Sequence, residues 1–557
     1  MLRLNEITDL LEELYNEWFA NKSFWFEKNE KIDKYLVDKF FILSKNINFC
    51  NINLDYNNKK QIIGAIIALD QIPRHAKRLY DNITTTYYTE LAVKISKAYL
   101  NVIYDNELIR NNISAIEWCF ILLPIRHSND YECIIDIIYF IINKHNNTDN
   151  DNDRYIYKRY IQATVKNVYK NITYYYYIMQ QKCNNKNIGY GWKSYSSVLE
   201  NCPLQPIIYD IKCKDFIKNI DYINVKNIIV SFSGGVDSTL MLFLTKVLLP
   251  NKNIIAVHID YNNRDENEIE LKFVEQFCNN IGVKLYYRII TELRRKDCHK
   301  NGLRSIYENL THDIRFDMYR QVANNHFGNE QYVVALGHNK DDCFENIITN
   351  ISLKKNYDDL SGMTTFSTND NICFWRPFLD IEKDKIIEYA NTINLPYLKN
   401  STPIWSARGK IRNQILPAMQ DINKDIINSF FTLKDFIVTQ NKLIDDYIIQ
   451  KMINKPVICD NNITYNFDNI NDLICDLTIW NKVMNGLNIG HISQKSLKEF
   501  IEYLNRFRVK YESIQKNVKM KFVLNKNVYT SLHKKDDGSI ILNFFCNKLI
   551  KMSSKGI

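Results

Sequence analysis

The sequence predicts a multi-domain protein with three parts: an all-α N-terminal domain, an α/β core with a doubly wound parallel sheet, and a small helical or α+β C-terminal region. With 557 residues, the chain is longer than one domain normally is. Near the N-terminus apolar residues recur at helical spacing, as at Leu10, Leu14 and Trp18. From about residue 201 to 430, apolar strand-like runs alternate with helical segments, which is typical of a parallel sheet.

Changes of pattern along the chain suggest four segments. We expect a helical domain over residues 1–145, a tether over 146–200, the α/β domain over 201–430, and linker helices with a C-terminal region over 431–557. The acidic and amide-rich run HNNTDNDNDRYIYKRY predicts a loop or tether. The Tyr- and Lys-rich run after it fits either a surface that contacts RNA or a buried helix, and we favour the helix.

Composition limits the function classes. Lys+Arg 72 against Asp+Glu 63 gives a net charge of +9, which permits nucleic-acid binding without indicating it. The 13 cysteines include no Cys-x-x-Cys pair, which argues against a zinc ribbon or a disulfide scaffold. The N-terminus predicts an amphipathic helix rather than a signal peptide, and the most apolar run, from Ile134, is interrupted by Asp136. We therefore expect a cytoplasmic protein that does not cross a membrane.

Two polar clusters interrupt the N-terminal helical pattern: LDQIPRHAKRLY at 69–80 and LLPIRHSND at 122–130. With the aromatic Phe24-Trp25-Phe26, they resemble segments of an uncharacterised bacterial family with a tetratricopeptide-like helical fold, to which no chemistry is assigned. Their polar residues could line a binding groove or could be buried groups and helix caps that hold the bundle together, and we favour the second interpretation. These residues are Asp70, Gln71, Arg74, His75, His127 and Ser128.

The segment IIVSFSGGVDST, from Ile228, predicts a strand, a tight loop and the start of a helix. Gly234 and Gly235 would let backbone amides approach a ligand closely, and the following helix N-terminus suits an anion. Ser233 and Ser238 add hydroxyl donors, while Asp237 could hold Mg²⁺ on phosphate oxygens. The Lys-Ser/Thr pair of a Walker A loop is missing. An ordinary glycine-rich turn is the alternative.

Further strands are predicted at Asn253–Asp260, Lys284–Ile290 and Tyr332–Leu336. Asp265 and Glu268 have the spacing of a capping box, and the helix there would turn Ile269, Phe273, Val274 and Phe277 to the core. Ligands of such sheets lie at the carboxyl ends of the strands. That rule groups three segments along one edge: Ser233–Ser238, Asp260–Arg264 and Gly337–Asp342.

The segment ALGHNKDDCFENIITNI, from Ala335, carries carboxylates on a predicted helix start. Asp342 and Glu345 lie three residues apart and share a face, where carboxylates beside a triphosphate would suit Mg²⁺. The simpler interpretation is a solvated acidic helix start. The residues expected to face inward are Phe344, Ile347, Ile348 and Ile351.

Six segments in order carry a narrower resemblance. They are the glycine loop, HIDYNNR, GHNKDD-x-x-E, LSGM at Leu360, RPFL from Arg376, and RGKIRNQILP ending at Pro417. The loop resembles the PP-loop of N-type ATP pyrophosphatases, and the whole set resembles tRNA(Ile)-lysidine synthetases over about residues 225–420. The resemblance implies an adenine nucleotide α-hydrolase-like core.

The resemblance also implies a reaction. ATP would adenylate the carbonyl oxygen at carbon 2 of the wobble cytidine in a tRNA(Ile) with a CAU anticodon, releasing pyrophosphate. The ε-amine of free L-lysine would then displace AMP and leave lysidine. ATP and Mg²⁺ would be required, tRNA and lysine would be the partners, and a homodimer is possible in the family.

Matching positions carry the implied roles. The implied catalytic residues are Asp237, His338, Asp341, Asp342 and Arg412. The implied ATP-binding residues are Ser233, Gly234, Gly235, Val236, Asp237, Ser238, Arg315 and Gly337. The implied metal ligands are Asp237, Asp342 and Glu345. Tyr319 matches an arginine-tyrosine motif together with Arg315, and Arg376 and Arg408 match basic positions that could neutralise phosphate charge or pair with local carboxylates.

Departures from the family pattern leave other functions open. Tyr261 stands for a histidine, Cys343 for a glutamine and Met318 for an arginine, and Asn400–Pro403 replaces an Asp-Pro-Ser-Asn segment. A tRNA 2-thiolation enzyme of the same superfamily is one alternative, since Cys343 adjoins the paired aspartates. A catalytically inactive RNA-binding protein and a small-molecule amide ligase are the others.

The C-terminal region predicts two helices, at Ile474–Leu487 and in SQKSLKEFIEYL, and strands around Phe522–Tyr529 and Ser539–Phe545. Cations there are interleaved with aromatics and could hold tRNA, or could be a solvated helix face. The cations are Arg506, Arg508, Lys510, Lys516, Lys519 and Lys521, and the aromatics are Phe507, Tyr511 and Phe522.

Overall fold

The computed structural model describes most of the chain as two compact units, and each is presented separately. The described residues are 4–47, 54–128, 130–171, 176–178, 192–208, 225–263, 265–298, 302–353, 360–399, 406–459, 461–489, 492–514 and 519–546. The first unit comprises Met1–Gly337, Phe366–Pro377 and Asp384–Asn400, and the second comprises His338–Thr365, Phe378–Lys383 and Ser401–Ile557. The four segment boundaries expected from the sequence stay predictions.

The N-terminal part of the first unit is helical, as predicted. Amide and hydroxyl side chains start several helices: Asn58 caps one, and Ser114 and Glu117 form a reciprocal capping box at another. Leu11, Leu14 and Trp18 are fully buried on the first helix. The helices are α1 (Leu4–Ala20), α2 (Ser23–Phe26), α3 (Glu30–Asn46), α4 (Lys59–Asp70), α5 (Ile72–Leu79), α6 (Thr86–Asp105), α7 (Glu107–Asn111), α8 (Ala115–His127), α9 (Tyr131–Asn147) and α10 (Asp151–Asn171).

Helix α10 corrects the expectation of a loop in the acidic and amide-rich run. Asn150 accepts hydrogen bonds from the N–H groups of Asn152 and Asp153, so the run caps a helix. Tyr157 and Tyr160, at the end of this run, are buried in the helical core. The Tyr- and Lys-rich run that follows continues α10 only as far as Asn171, and its next described residues form a strand, so the favoured helix is wrong there. The rest of the Tyr-rich run lies outside the described residues, apart from strand β1 (Tyr176–Ile178).

The central sheet has seven strands in the order β1-β5-β4-β3-β6-β8-β7. Neighbours from β5 to β8 are parallel, and the two edge pairs are antiparallel. The order runs outward in both directions from β3, which confirms the predicted doubly wound parallel sheet. The strands are β3 (Asn227–Ser231), β4 (Asn253–Asp260), β5 (Lys284–Ile289), β6 (Tyr332–Ala335), β7 (Phe366–Asn369) and β8 (Ile372–Trp375); β2 (Leu199–Asn201) pairs separately with β9 (Tyr397–Leu398).

Helices cover the sheet. Phe273, Val274 and Phe277 are fully buried as predicted, but Ile269 is 37% exposed. The capping box expected at Asp265 does not form, because the helix begins at Asn267, after Glu266, which makes no side-chain cap. The helices are α11 (Val236–Leu248), α12 (Asn267–Ile281), α13 (Arg295–Cys298), α14 (Arg304–Phe327) and Lys383–Thr392.

The N-terminal helices and the start of α14 share one hydrophobic core. Leu303, Leu310 and Ile314 belong to the same buried cluster as the N-terminal helices. The Tyr139 hydroxyl donates to the Thr291 carbonyl oxygen at 3.0 Å. The helical domain therefore packs as one body with the segment that leads into α14.

The second unit contains α15 (Lys340–Ser352), further helices and a five-stranded antiparallel sheet. Phe344 and Ile347 of α15 are buried as predicted, whereas Ile351 is 46% exposed. The sheet order is β10-β11-β14-β13-β12, which confirms a helical and α+β C-terminal region. The helices are Ala407–Lys410, Leu416–Ile422, Ile426–Ile444, Gln450–Asn454, Leu477–Gly486 and Gln494–Lys510, and the strands are β10 (Val457–Cys459), β11 (Asn462–Phe467), β12 (Met520–Asn525), β13 (Val528–Lys534) and β14 (Ile540–Cys546).

Candidate nucleotide site

The glycine loop connects β3 to α11 as the sequence predicts, and Ser238 holds it in shape. The Ser233 N–H donates to Ser238 Oγ at 3.1 Å, and the two hydroxyl oxygens lie 2.9 Å apart. Ser238 is only 5% exposed and also donates to the Gly235 carbonyl oxygen. The loop is therefore fixed by its own hydroxyl groups at the N-terminus of a helix, where anions are stabilised.

Glycine occurs at positions 234 and 235 for different structural reasons. Gly234 has φ +83°, and a Cβ there would lie 2.5 Å from Leu398 Cδ1. Gly235 has φ −70° and starts α11, and its Cβ would meet only Ser233 Oγ, at 3.6 Å. The fold itself requires a glycine at 234, whereas the space at 235 is open and suits a bound group.

Gly337, after β6, lies against the same loop. A Cβ at this position would be 3.1 Å from both the Asp237 carbonyl carbon and the Ser238 nitrogen, which are backbone atoms. Such contacts are tighter than most real Cβ contacts, so only glycine fits without displacing the first turn of α11. The structure thus brings Gly337 to the glycine loop, as the edge rule predicted.

Two buried side chains support the loop from behind. His258 Nδ1 donates to the Phe232 carbonyl oxygen at 2.8 Å, and burial lowers the pKa of His258. The Tyr319 hydroxyl donates to Ser231 Oγ at 2.8 Å, and burial raises the pKa of Tyr319 to about 12. Sequence analysis missed His258, although a histidine inside an apolar strand that ends beside the loop was a usable signal.

Other predicted residues of the first unit lie on elements near strand ends. Asp237 is half-buried on the first turn of α11. Asp260 ends β4 and accepts a hydrogen bond from the Asn262 N–H at 2.7 Å, so it stabilises its own turn. Arg315 is half-buried on α14, and Arg376 donates to Ser367 Oγ at 2.9 Å. Arg264 lies outside the described residues.

In the second unit, the acidic start of α15 forms a structural cap. Asn339 Oδ1 accepts from the Asp342 N–H at 3.0 Å, and the Asp342 carboxylate accepts from the Asn339 N–H at 3.2 Å. Asp341 accepts from the Lys383 N–H at 2.9 Å. Asp342 therefore caps the start of its own helix.

Glu345 and Arg412 form a buried ion pair beside this cap. Arg412 Nε lies 2.8 Å from Glu345 Oε1, and Arg412 Nη2 lies 3.5 Å from the Asp342 carboxylate. Burial raises the pKa of Glu345, although Arg412 lowers it. Glu345 Oε2 is buried without a hydrogen-bond partner among the described residues. Arg412 lies on a π-helical turn, Ile411–Ile415, a conformation that is frequent at functional sites.

The implied metal ligands fall in both units: Asp237 in the first, and Asp342 and Glu345 in the second. Within the described part of the chain, no group of three or more His, Cys, Asp or Glu side chains that could hold a metal ion is present. His338 is half-buried in the second unit. A shared Mg²⁺ site stays a prediction.

The departures from the family pattern are packing residues. Cys343 is fully buried with Ile347 and Leu379, and burial raises the pKa of its thiol. A buried thiol with a raised pKa is a poor nucleophile. Met318 is 3% exposed in the core beneath the sheet, where an arginine would lose its hydration. Asn400–Pro403 lies outside the described residues.

The interleaved C-terminal aromatics belong to the core rather than to a stacking surface. Phe507 is fully buried, and Phe522 packs against the same cluster. The Tyr511 hydroxyl donates to the Gly538 carbonyl oxygen. The cations Arg506, Arg508, Lys510, Lys519 and Lys521 are exposed, and Lys516 lies outside the described residues. The described part of this surface thus offers charge for phosphates but not the stacking that the interleaving suggested.

Most N-terminal polar residues tie helices together, as the favoured interpretation expects. His75 Nδ1 lies 2.6 Å from the Asp33 carboxylate, which also binds Arg78. Ser128 donates to the Ile125 carbonyl oxygen at the end of α8. Asp70 accepts from His127, Gln71 and Arg74.

Comparison with known proteins gives two domain matches. The model of the PP-loop domain family matches residues 207–419, and the model of a bacterial protein family of unknown function (DUF924) matches residues 14–175. Across the described residues, no helix is long and apolar enough to cross a membrane.

Relatives named tRNA(Ile)-lysidine synthase match the central part of the chain. The protein from Mycoplasma mycoides subsp. mycoides SC is 26% identical over 42% of this chain and 55% of its own length. That from Clostridioides difficile is 27% identical over 39% and 46%, and that from Borreliella afzelii is 31% identical over 38% and 47%. The chain thus spans about half the length of the relatives it matches.

Among solved structures, a U34-tRNA thiolase NcsA from Methanococcus maripaludis aligns with a TM-score of 0.33 at 16% identity, over 42% of this chain and 86% of that one. This likeness is too low to bear on fold or function. The family matches confirm both resemblances seen in the sequence: residues 207–419 are similar to the PP-loop domain family, and residues 14–175 are similar to the DUF924 family of bacterial proteins of unknown function.

Proposed function

We propose that the chain is an ATP-dependent ligase that forms lysidine in tRNA(Ile). ATP adenylates the carbonyl oxygen on carbon 2 of the wobble cytidine of the CAU anticodon, and pyrophosphate leaves. The ε-amine of free L-lysine then attacks carbon 2, and AMP leaves with that oxygen. The observation that carries the proposal is the glycine loop, with open space at Gly235 and Gly337 packed on its backbone, in a domain whose relatives are named tRNA(Ile)-lysidine synthases.

In this proposal the loop binds the pyrophosphate part of ATP. The N–H groups of the first turn of α11 and the hydroxyl groups of Ser233 and Ser238 stabilise its negative charge. Arg315, which matches the arginine-tyrosine motif of the family, would contact the nucleotide. Mg²⁺, when bound, would neutralise phosphate charge, and Asp237 is the half-buried carboxylate of the loop that could hold it.

Residues of the second unit would act on the cytidine that is adenylated and on the lysine that attacks it. The buried oxygen of Glu345, which has no hydrogen-bond partner in the part of the chain that the structure describes, fits a metal or a donor from the substrate. Arg412 would neutralise charge as the adenylate forms, and His338, Asp341 or Asp342 would take the proton that lysine must lose before it attacks.

The rival thiolation chemistry lacks a suitable cysteine at the position that suggested it. Cys343 is buried and packed among apolar side chains, so it is unsuited to carry sulfur. The exposed C-terminal cations support tRNA as the partner through phosphate neutralisation. A cytoplasmic location and the possible homodimer belong to the same proposal.

Mass spectrometry of nucleosides tests the proposal. CAU-anticodon tRNA(Ile) is incubated with the protein, Mg-ATP and isotopically labelled lysine, then digested. We expect a cytidine that carries the labelled lysine, and its loss in Asp237→Ala. As a matched control, Asp265→Ala removes an exposed carboxylate that follows the next strand and should leave the product unchanged.

Other outcomes would redirect the assignment. If tRNA stimulates pyrophosphate release but no lysine is attached, the ATP chemistry stands and another nucleophile takes the place of lysine. If pyrophosphate release does not depend on tRNA, a small-molecule ligase is indicated. If ATP is not cleaved at all, the protein is an inactive RNA-binding protein.

A further inference from the structure

The N-terminal helical domain contains a polar cluster that the proposed function does not use. Asp70 is 1% exposed and lies at its centre, with His127 Nδ1 at 2.9 Å and Arg74 Nη2 at 3.2 Å. Arg74 also donates to Thr89 Oγ1 at 3.1 Å. Burial alone would raise the pKa of Asp70, but His127 and Arg74 outweigh it and lower the pKa to about 2. Asp70 is therefore a fully satisfied anchor.

Arg126, adjacent to His127, is not satisfied in this way. Its guanidinium lies over the Tyr160 ring, 5.7 Å from the centroid. Among the described residues it has no hydrogen-bond or ion-pair partner, and its Nε is buried. The Nε of Arg74 is also buried without a partner in the described chain. Buried donors of this kind normally have an acceptor.

Tyr160 supplies an unpartnered buried hydroxyl at the same place. Its side chain is 6% exposed, and its hydroxyl has no hydrogen-bond partner within the described residues. Burial raises the pKa of Tyr160, whereas the Arg126 guanidinium over its ring and the neighbouring Thr164 side chain lower it. Arg126 is the neighbour of His127 in sequence, and His127 and Arg74 both bind Asp70, so these contacts join Asp70, Arg74, Arg126 and Tyr160 in one cluster. The cluster is open to solvent through Arg74 and His127, whose side chains are 31% and 18% exposed.

We propose that this cluster is a binding site for a small phosphoryl group, held by Arg74, Arg126 and the Tyr160 hydroxyl, with Asp70 as the anchor that positions Arg74 and His127. Two guanidinium groups against one carboxylate leave a positive charge that an anion would balance. Planar guanidinium forks match phosphoryl oxygens, and each unpartnered donor would gain an acceptor. The site is separate from the glycine loop and rests on no step of the proposed function.

Calorimetric titration of inorganic phosphate into the full chain tests the site. We expect Arg126→Met to weaken phosphate binding at least about ten-fold, the loss typical of one charge-assisted contact. Arg110→Met, the same change on α7 of the same domain, should leave the affinity unchanged. Unaltered binding in Arg126→Met would overturn the proposal.

Tyr160→Phe is a second, milder variant, which keeps the test decisive if Arg126→Met does not fold. It removes only a hydroxyl that has no partner among the described residues, so the melting midpoint should not fall, while phosphate binding should weaken. If ordered water alone satisfies these donors, neither Arg126→Met nor Tyr160→Phe will weaken phosphate binding. In that case the assignment of the site fails. Binding of succinate but not of phosphate would overturn the choice of a phosphoryl ligand.

Discussion

Substitutions of Gly234 and Gly235 should show which glycine the folded loop needs for stability and which one the bound phosphate needs for space. In Gly235→Ala the new Cβ meets only Ser233 Oγ, at 3.6 Å, and φ is an ordinary −70°. Alanine is a poorer helix cap than glycine but restricts the unfolded chain, and the two effects, each about 0.5–1 kcal/mol, nearly cancel. In Gly234→Ala the φ of +83° costs about 1–3 kcal/mol, and Leu398 must also move.

We therefore expect Gly235→Ala to melt within about 2 °C of the wild type and Gly234→Ala to melt lower by about 2–4 °C for each kcal/mol lost. Both should lose ATP-dependent pyrophosphate release, because a methyl group at 235 occupies the space proposed for a phosphate, and a misplacement of about 1 Å can cost about a hundred-fold in rate. Circular dichroism melting and a pyrophosphate-release assay measure the two effects. Full ATP turnover by Gly235→Ala would refute the argument that the open space is the phosphate site.

Three further predictions concern buried groups. Arg412→Met should destabilise the second unit by about 3 kcal/mol, because it leaves Glu345 charged and buried without its partner; chemical denaturation measures this. Asp70→Asn should cost about 2 kcal/mol at neutral pH, since the pKa falls from 3.8 to about 2 on folding. A carboxyl group whose pKa is lowered by folding stabilises the folded state at any pH above its pKa in the unfolded chain. For Asp70 this stabilisation is lost as the pH falls from about 4 to 2. The melting midpoint of Asp70→Asn should therefore depend less on pH in that range than the midpoint of the wild type. Cys343 should resist alkylation by iodoacetamide in the native protein, as followed by peptide mass spectrometry, because burial raises the pKa of its thiol.

Each of these three predictions has a control residue elsewhere in the same chain. Lys410→Met removes an exposed lysine two residues before Arg412 and should change stability by no more than about 0.5 kcal/mol. Asp136→Asn, in the same helical domain, should leave the acid dependence unchanged, and an equal flattening there would contradict the role given to Asp70. Cys459 is exposed and should be alkylated first; labelling of Cys343 at the same rate would show that its environment is open.

The core of the fold was predictable because its signals are local. Strand β4 occupies Asn253–Asp260 as predicted, and the glycine loop joins β3 to α11, because an apolar run, a glycine pair and a helical period occur within a dozen residues. The errors occur where neighbours decide. Ile269 and Ile351 fit the apolar stripes of their helices yet are 37% and 46% exposed, since a stripe is wider than the surface that covers it.

The residue types and spacings along the chain were sufficient to identify a strand-loop-helix that suits a phosphate and to predict that its strand belongs to a parallel sheet. They could not show which polar side chains meet, because contacts between residues distant in sequence depend on packing. That His258 holds the Phe232 carbonyl, that Gly337 lies on the backbone of Asp237, and that Arg412 pairs with Glu345 follow from the tertiary arrangement. The acidic run at 149–153 became a helix cap for the same reason: the apolar face of α10 is buried by other helices, and this burial outweighs the local preference for a loop.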